Sequence, residues 1–102
     1  AGLMFSGEKI SASEAEEIGM IFKAVKDGNG YEIALEFAKK LSKMPTKSIG
    51  LIKELLNKSN GNSIKEQLDL EKKLQITAAS SDDHKEGVKA FFEKRKPNYT
   101  GK

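Results

Sequence analysis

Cysteine and tryptophan are absent, histidine occurs once and proline twice in 102 residues. Without cysteine there is no disulfide, no thiol nucleophile and no cysteine-based zinc site. The same absence fits a cytoplasmic protein, the expected compartment. The one histidine, His84, has only Asp82 and Asp83 beside it. That is too few converging ligands for a metal centre, so no metal is expected and His84 is read as an exposed helix-surface residue. No apolar stretch approaches the ~20 residues that cross a bilayer, so no membrane partner is expected. An excess of one charge is also lacking. Lysine and arginine number 18 against 15 acidic residues, a net charge of +3. The two signs interleave, which leaves no basic recognition face for nucleic acid. Hydrophobic residues make up 37% and charged ones 32%. So little burial fits long helices, or a domain that covers its apolar surface with a partner, better than a compact sheet protein. The length is that of one small domain or a piece of a larger one.

What is present is helical punctuation. Residues 1–5 read as the end of an element, with Gly7 at a helix C′ position, so the chain is expected to be a piece of a longer protein. Ser11 or Ser13 caps a short helix over residues 11–18, rich in glutamate and ended by Gly19. Residues 20–25 are an apolar run compatible with one short strand, and residues 26–30 a turn. Ala34, Phe37, Ala38 and Leu41 fall at helical spacing, predicting a helix over residues 31–43. Pro45 opens another, with Ile49, Ile52, Leu55 and Leu56 as its stripe, to about Lys58. Ser63 and Glu66 form a capping box before a long helix over residues 64–79. Ser80 or Ser81 then caps the last helix. The expected fold class is all-α, with four to five helices in one small helical domain and at most one strand, over residues 20–25.

Residues 83–102 carry the most chemistry. Val88, Phe91 and Phe92 make one apolar face, and Lys94, Arg95 and Lys96 follow at the helix's C-terminal end, where positive charge suits the dipole, before Pro97 stops it. An apolar surface beside fixed cations suits a ligand with an aromatic base and phosphates. At least one of the two phenylalanines is also expected as a core anchor. The carboxylates Glu14, Glu16, Glu17, Glu66, Asp69 and Glu71 fit capping, dipole compensation and pairing with lysines, so no catalytic residue is assigned.

The stretch Glu86-Gly-Val-x-Ala-Phe-x-Glu-Lys-Arg-x-Pro97 resembles the C-terminal signature of the enoyl-CoA hydratase/isomerase (crotonase) family. Leu3 to Met20 resembles the stretch following that family's catalytic core. Lys43-Met-Pro-Thr-Lys47, Ile52 to Leu56, Leu68-Asp-Leu-Glu71 and Gln75 follow in the family order. Leu68 to Glu71, Ser81 to Asp83 and the ending Lys94 to Lys102 are most similar to the phenylacetate-pathway isomerases, which act on a ring-epoxidised phenylacetyl-CoA. The resemblance implies that residues 1–102 are the C-terminal helical region, serving oligomer contacts and active-site cover. It implies a parent that isomerises or hydrates an unsaturated or epoxidised acyl-CoA through an enolate, as a trimer or dimer of trimers. The substrate is a coenzyme A thioester and no further cofactor is implied. The family's catalytic carboxylates and oxyanion-hole amides lie upstream, so this chain alone is expected to be inactive. The resemblance places Phe91 on the adenine of a CoA bound mainly to a neighbouring subunit and Lys94 on its phosphates, with Arg95 and Lys96 adding to the field. A stand-alone helical module that binds a protein partner is the rival reading.

Overall fold

The computed structural model describes residues 2–102. The elements are α1 (Gly2–Ser6), α2 (Ala12–Glu17), α3 (Gly30–Leu41), α4 (Thr46–Ser59), α5 (Ile64–Ala79) and α6 (Asp82–Phe92). The described residues are therefore all-α, with the short α1 added to the helices expected. The optional strand over residues 20–25 is not formed. Three of its backbone donors are spent elsewhere. The Met20 and Ile21 N–H groups donate to the Ala15 carbonyl at 2.8 and 3.2 Å. The Ala24 N–H donates to the Glu16 carboxylate at 2.9 Å. A segment folded back onto its own helix end has no ladder to offer, and no partner strand exists among the described residues.

The chain divides into two compact units, residues 1–36 and 37–102, with the division inside α3. In the first unit α2 is fixed at both ends by local chemistry. The Ser11 hydroxyl accepts the Glu14 N–H and the Glu14 carboxylate accepts the Ser11 N–H at 2.7 Å. At the other end Gly19 takes φ +72°, its N–H donates to Glu16 and that of Met20 to Ala15. This crossed pair of bonds is a Schellman ending, which needs a left-handed residue at its centre.

In the second unit α5 packs against both α4 and α6. Ser63 and Glu66 form the expected capping box at the start of α5. Gln67 ties α5 back to α4, donating from Nε2 to the Leu55 carbonyl at 3.2 Å and accepting from Asn62 at 2.9 Å. Little is buried. Among the described residues the buried apolar side chains are Ala15, Leu74 and Ala90. Most of the predicted stripes face outward: Ile52, Leu56, Ile64 and Leu68 are all more than half exposed. Surfaces of this kind are unusual for a monomer. This chain alone is expected to self-associate and to bind an apolar dye. Light scattering over a concentration series checks it, and a strictly monomeric, dye-silent species at high concentration counts against it.

Candidate functional site

The helix α6 begins at a firm cap. The Ser81 hydroxyl accepts the His84 N–H at 3.1 Å and donates to the Ala78 carbonyl at 2.6 Å. One face of α6, at helical spacing, holds Asp83, Glu86, Gly87 and Ala90. Residues 95–102, the return segment, run back along that face. Arg95 grips Glu86 with both terminal guanidinium nitrogens, at 2.6 and 2.9 Å, and the Asn98 N–H adds a third bond to the same carboxylate at 2.8 Å. The Tyr99 phenol oxygen lies 3.2 Å from where a Cβ on Gly87 would sit, so that glycine leaves room for the ring. Asp83 is 2% exposed. Its Oδ1 accepts the Thr100 N–H at 2.6 Å and its Oδ2 the Gly101 N–H at 2.8 Å. Its own N–H donates to the Lys102 carbonyl at 3.1 Å. Gly101, at φ +79°, comes so close to α4 that a Cβ there would meet Thr46 Oγ1 at 2.5 Å.

The end of α6 corrects the sequence reading. The helix stops at Phe92, before the basic cluster and before Pro97. Glu93 is the C-cap and Lys94 takes φ +54°. The Lys94 N–H donates to Phe91 and the Arg95 N–H to Ala90, at 3.2 and 3.1 Å. This is the same crossed closure that ends α2, with a lysine where α2 has Gly19. Arg95 also donates from Nε to the Glu93 carboxylate at 2.6 Å, bridging the residues on either side of Lys94. The chain is turned off the helix axis by this closure and by the pull of Glu86, and Pro97 arrives after the helix has gone.

Phe91 and Phe92 meet edge to face, with centroids 5.8 Å apart and planes at 76°. They are 79% and 77% exposed. Neither is a core anchor within this chain, against expectation. With Val88, Pro45, Ser48 and Tyr99 they line an open groove of about 480 Å³. His84 stands exposed at its edge. Phe91, Lys94, Arg95 and Lys96 thus share one end of α6, but in different roles. Among the described residues no ion pair uses Lys94 or Lys96, whereas Arg95 is taken by Glu86 and Glu93. Asp83, Glu86 and Gly87, which the sequence offers as motif residues without a role, are the ones that seat the return segment. Beyond their place in the motifs, the signal for that role is an acid at the helical spacing of a glycine, followed by an arginine.

Glu14 and Glu66 serve as caps, Glu16 accepts the Ala24 N–H and Asp69 pairs with Lys65. Hydrogen bonds from Ser11 and Ser63 hold Glu14 and Glu66 below the usual carboxylate range, the opposite of what a general acid needs. The Arg95 fork and the Asn98 N–H hold Glu86 down to about 2. A depressed pKa contributes stability that is fully present above the ordinary glutamate value of about 4.3 and is lost as pH falls through the folded one. The return segment is therefore expected to stay anchored from neutral pH down to about pH 4 and to loosen only as pH falls towards about 2. Resonances of the Asn98 amide and the Arg95 guanidinium in an acid titration check this. Release at pH 5–6 contradicts it.

Comparison with known proteins agrees over the whole chain. The family profile described as enoyl-CoA hydratase/isomerase matches residues 1–102. The 1,2-epoxyphenylacetyl-CoA isomerase of Escherichia coli (strain K12) is 43% identical over 99% of this chain and 38% of its own length. The trans-2-decenoyl-[acyl-carrier-protein] isomerase of Streptococcus mutans serotype c is 35% identical over 98% of this chain and 38% of its own. The crystal structure of an enoyl-CoA hydratase from Polaromonas sp. JS666 superposes with a TM-score of 0.85 at 30% identity, covering 93% of this chain and 37% of that one. The chain thus spans well under half the length of each.

Proposed function

Because the chain belongs to the enoyl-CoA hydratase/isomerase family, we propose that it is the C-terminal helical region of an acyl-CoA isomerase or hydratase. Its work there is to make oligomer contacts, cover an active site and supply part of a CoA site. The observation that carries this reading is the outward-facing apolar surface of helices whose sequence matches the family throughout. Large apolar side chains left exposed along the helices fit elements packed between a catalytic core and neighbouring subunits.

Phe91 and Lys94 are the CoA contacts in this reading. The exposed Phe91 ring offers a face on which adenine stacks. Lys94 offers an ammonium that pairs with phosphate, and Lys96 adds to the field at the same end of α6. Arg95 is held away from the ligand by two carboxylates and serves the shape of the site. The reaction of the whole enzyme is proton transfer beside a CoA thioester, through an enolate stabilised by amides that belong to the core. Phenylacetate catabolism is the process suggested by the Escherichia coli relative.

The test compares the whole enzyme with this chain alone. The whole enzyme is expected to convert either crotonyl-CoA or an epoxidised phenylacetyl-CoA. The chain by itself is expected to leave both at the buffer rate, since in this reading the catalytic carboxylates and the oxyanion-hole amides belong to the core. Turnover by the isolated chain overturns the division of labour proposed here. Because one relative is named for an acyl group on a carrier protein, dependence on the CoA nucleotide is the measurement that separates the two kinds of thioester.

A further inference from the structure

Lys94 is the one non-glycine among the described residues with positive φ. A left-handed backbone disfavours every residue with a Cβ, and it persists only where the surroundings impose it. Here they do so twice. The Schellman bonds fix the turn from inside, and Arg95 fixes it from outside. Its Nε reaches Glu93, on the far side of Lys94, at 2.6 Å, while its two terminal nitrogens hold Glu86 on the body of α6 at 2.6 and 2.9 Å. Lys94 is therefore the middle residue of a turn whose flanks are tied together and then tied down. We propose that Arg95, through Glu86 and Glu93, is a positioning residue that holds Lys94 in its left-handed conformation and so aims its ammonium at the ligand phosphates. The inference rests on the CoA-site reading above. It gives Arg95 a role opposite to direct phosphate binding: the guanidinium is planar, forked and already engaged by two carboxylates through all three of its nitrogens.

Charge alone and positioning predict opposite signs. Glu86→Gln removes a negative charge near an anion site, so simple electrostatics makes the protein bind CoA more tightly, as does any direct contact from a liberated Arg95. Loss of positioning makes it bind more weakly. The experiment titrates coenzyme A calorimetrically into the whole enzyme carrying Glu86→Gln, Arg95→Lys or Lys94→Ala, and the Glu86→Gln/Lys94→Ala double variant. Arg95→Lys keeps the charge and loses the fork. Glu86→Gln and Arg95→Lys are each expected to weaken CoA binding about fivefold, and the double variant to bind no more weakly than Lys94→Ala alone, since the aimed group is gone. A crystal structure of Glu86→Gln is expected to show Lys94 outside the positive-φ region. Unchanged or tighter CoA binding by Glu86→Gln, where Lys94→Ala does weaken it, overturns the positioning role and leaves the CoA site standing. If Lys94→Ala has no effect, the CoA-site reading fails, and the crystal structure then decides the clamp by itself: a Lys94 that keeps positive φ without Glu86 refutes it.

Discussion

Replacing Lys94 with alanine in the whole enzyme is expected to raise KM for CoA esters roughly tenfold and to leave kcat nearly unchanged. A phosphate-bound ammonium acts far from the reacting thioester, so it stabilises ground state and transition state alike. Loss of uniform binding appears in KM. A charge-assisted contact contributes roughly 1.5–3 kcal/mol, and Lys94 stands in solvent, which argues for the lower end. Salt should shrink the effect, because an exposed ion pair is screened within about 10 Å at 0.1 M. The measurement sets full CoA esters against thioesters of pantetheine, which lack the nucleotide. An equal loss on both substrates places Lys94 away from the nucleotide and makes the end of α6 a solvated surface.

The second large effect is expected at a residue that touches no ligand. Asp83→Ala should free residues 98–102 from α6. The buried carboxylate accepts two short backbone bonds, and each hydrogen bond to a charged group contributes about 1.5–3 kcal/mol. Water repays part of that once the segment lifts away, so a net loss of about 3 kcal/mol is reasonable, a factor of about 100. Hydrogen exchange reads it directly: protection of the Thr100 and Gly101 amides should fall by about that factor while amides in the middle of α5 keep theirs. Asp83→Asn, which keeps one accepting oxygen, should fall between. Uniform loss of protection across all the helices indicates global unfolding and sinks the local account. Retained protection at Thr100 and Gly101 sinks it too.

Helix positions were legible because they are written locally. Ser63 and Glu66, or Ser11 and Gly19, are signals that act within one turn, and the structure uses them as read. The basic cluster was misplaced for the complementary reason. Lysine and arginine are good helix formers, and Pro97 is an evident stop, so propensity extends α6 through Lys96. What ends the helix earlier is the attraction of Arg95 to Glu86, nine positions back, together with a lysine accepting a glycine's backbone conformation. Neither has a local signature. The exposure of Phe91 and Phe92 was illegible for another reason. Periodicity shows that an apolar face exists, but not whether its cover lies in these 102 residues. Among the candidate residues, the side-chain types were readable and their division of labour was not: Arg95 and Lys96 are neighbours in sequence, yet one is locked in ion pairs and the other is not.

The bonds that seat the return segment on α6 all join residues within about twenty positions of each other, Asp83 to Lys102 being the widest span. Contacts of such short range close quickly, loops of about ten residues in ~10–100 ns and helices within about a microsecond, and they lose little chain entropy in closing. The outward apolar side chains of α4 and α5 take no part in this closure. The end of α6, with Lys94 turned and Phe91 exposed, is thus shaped by bonds that are local in sequence.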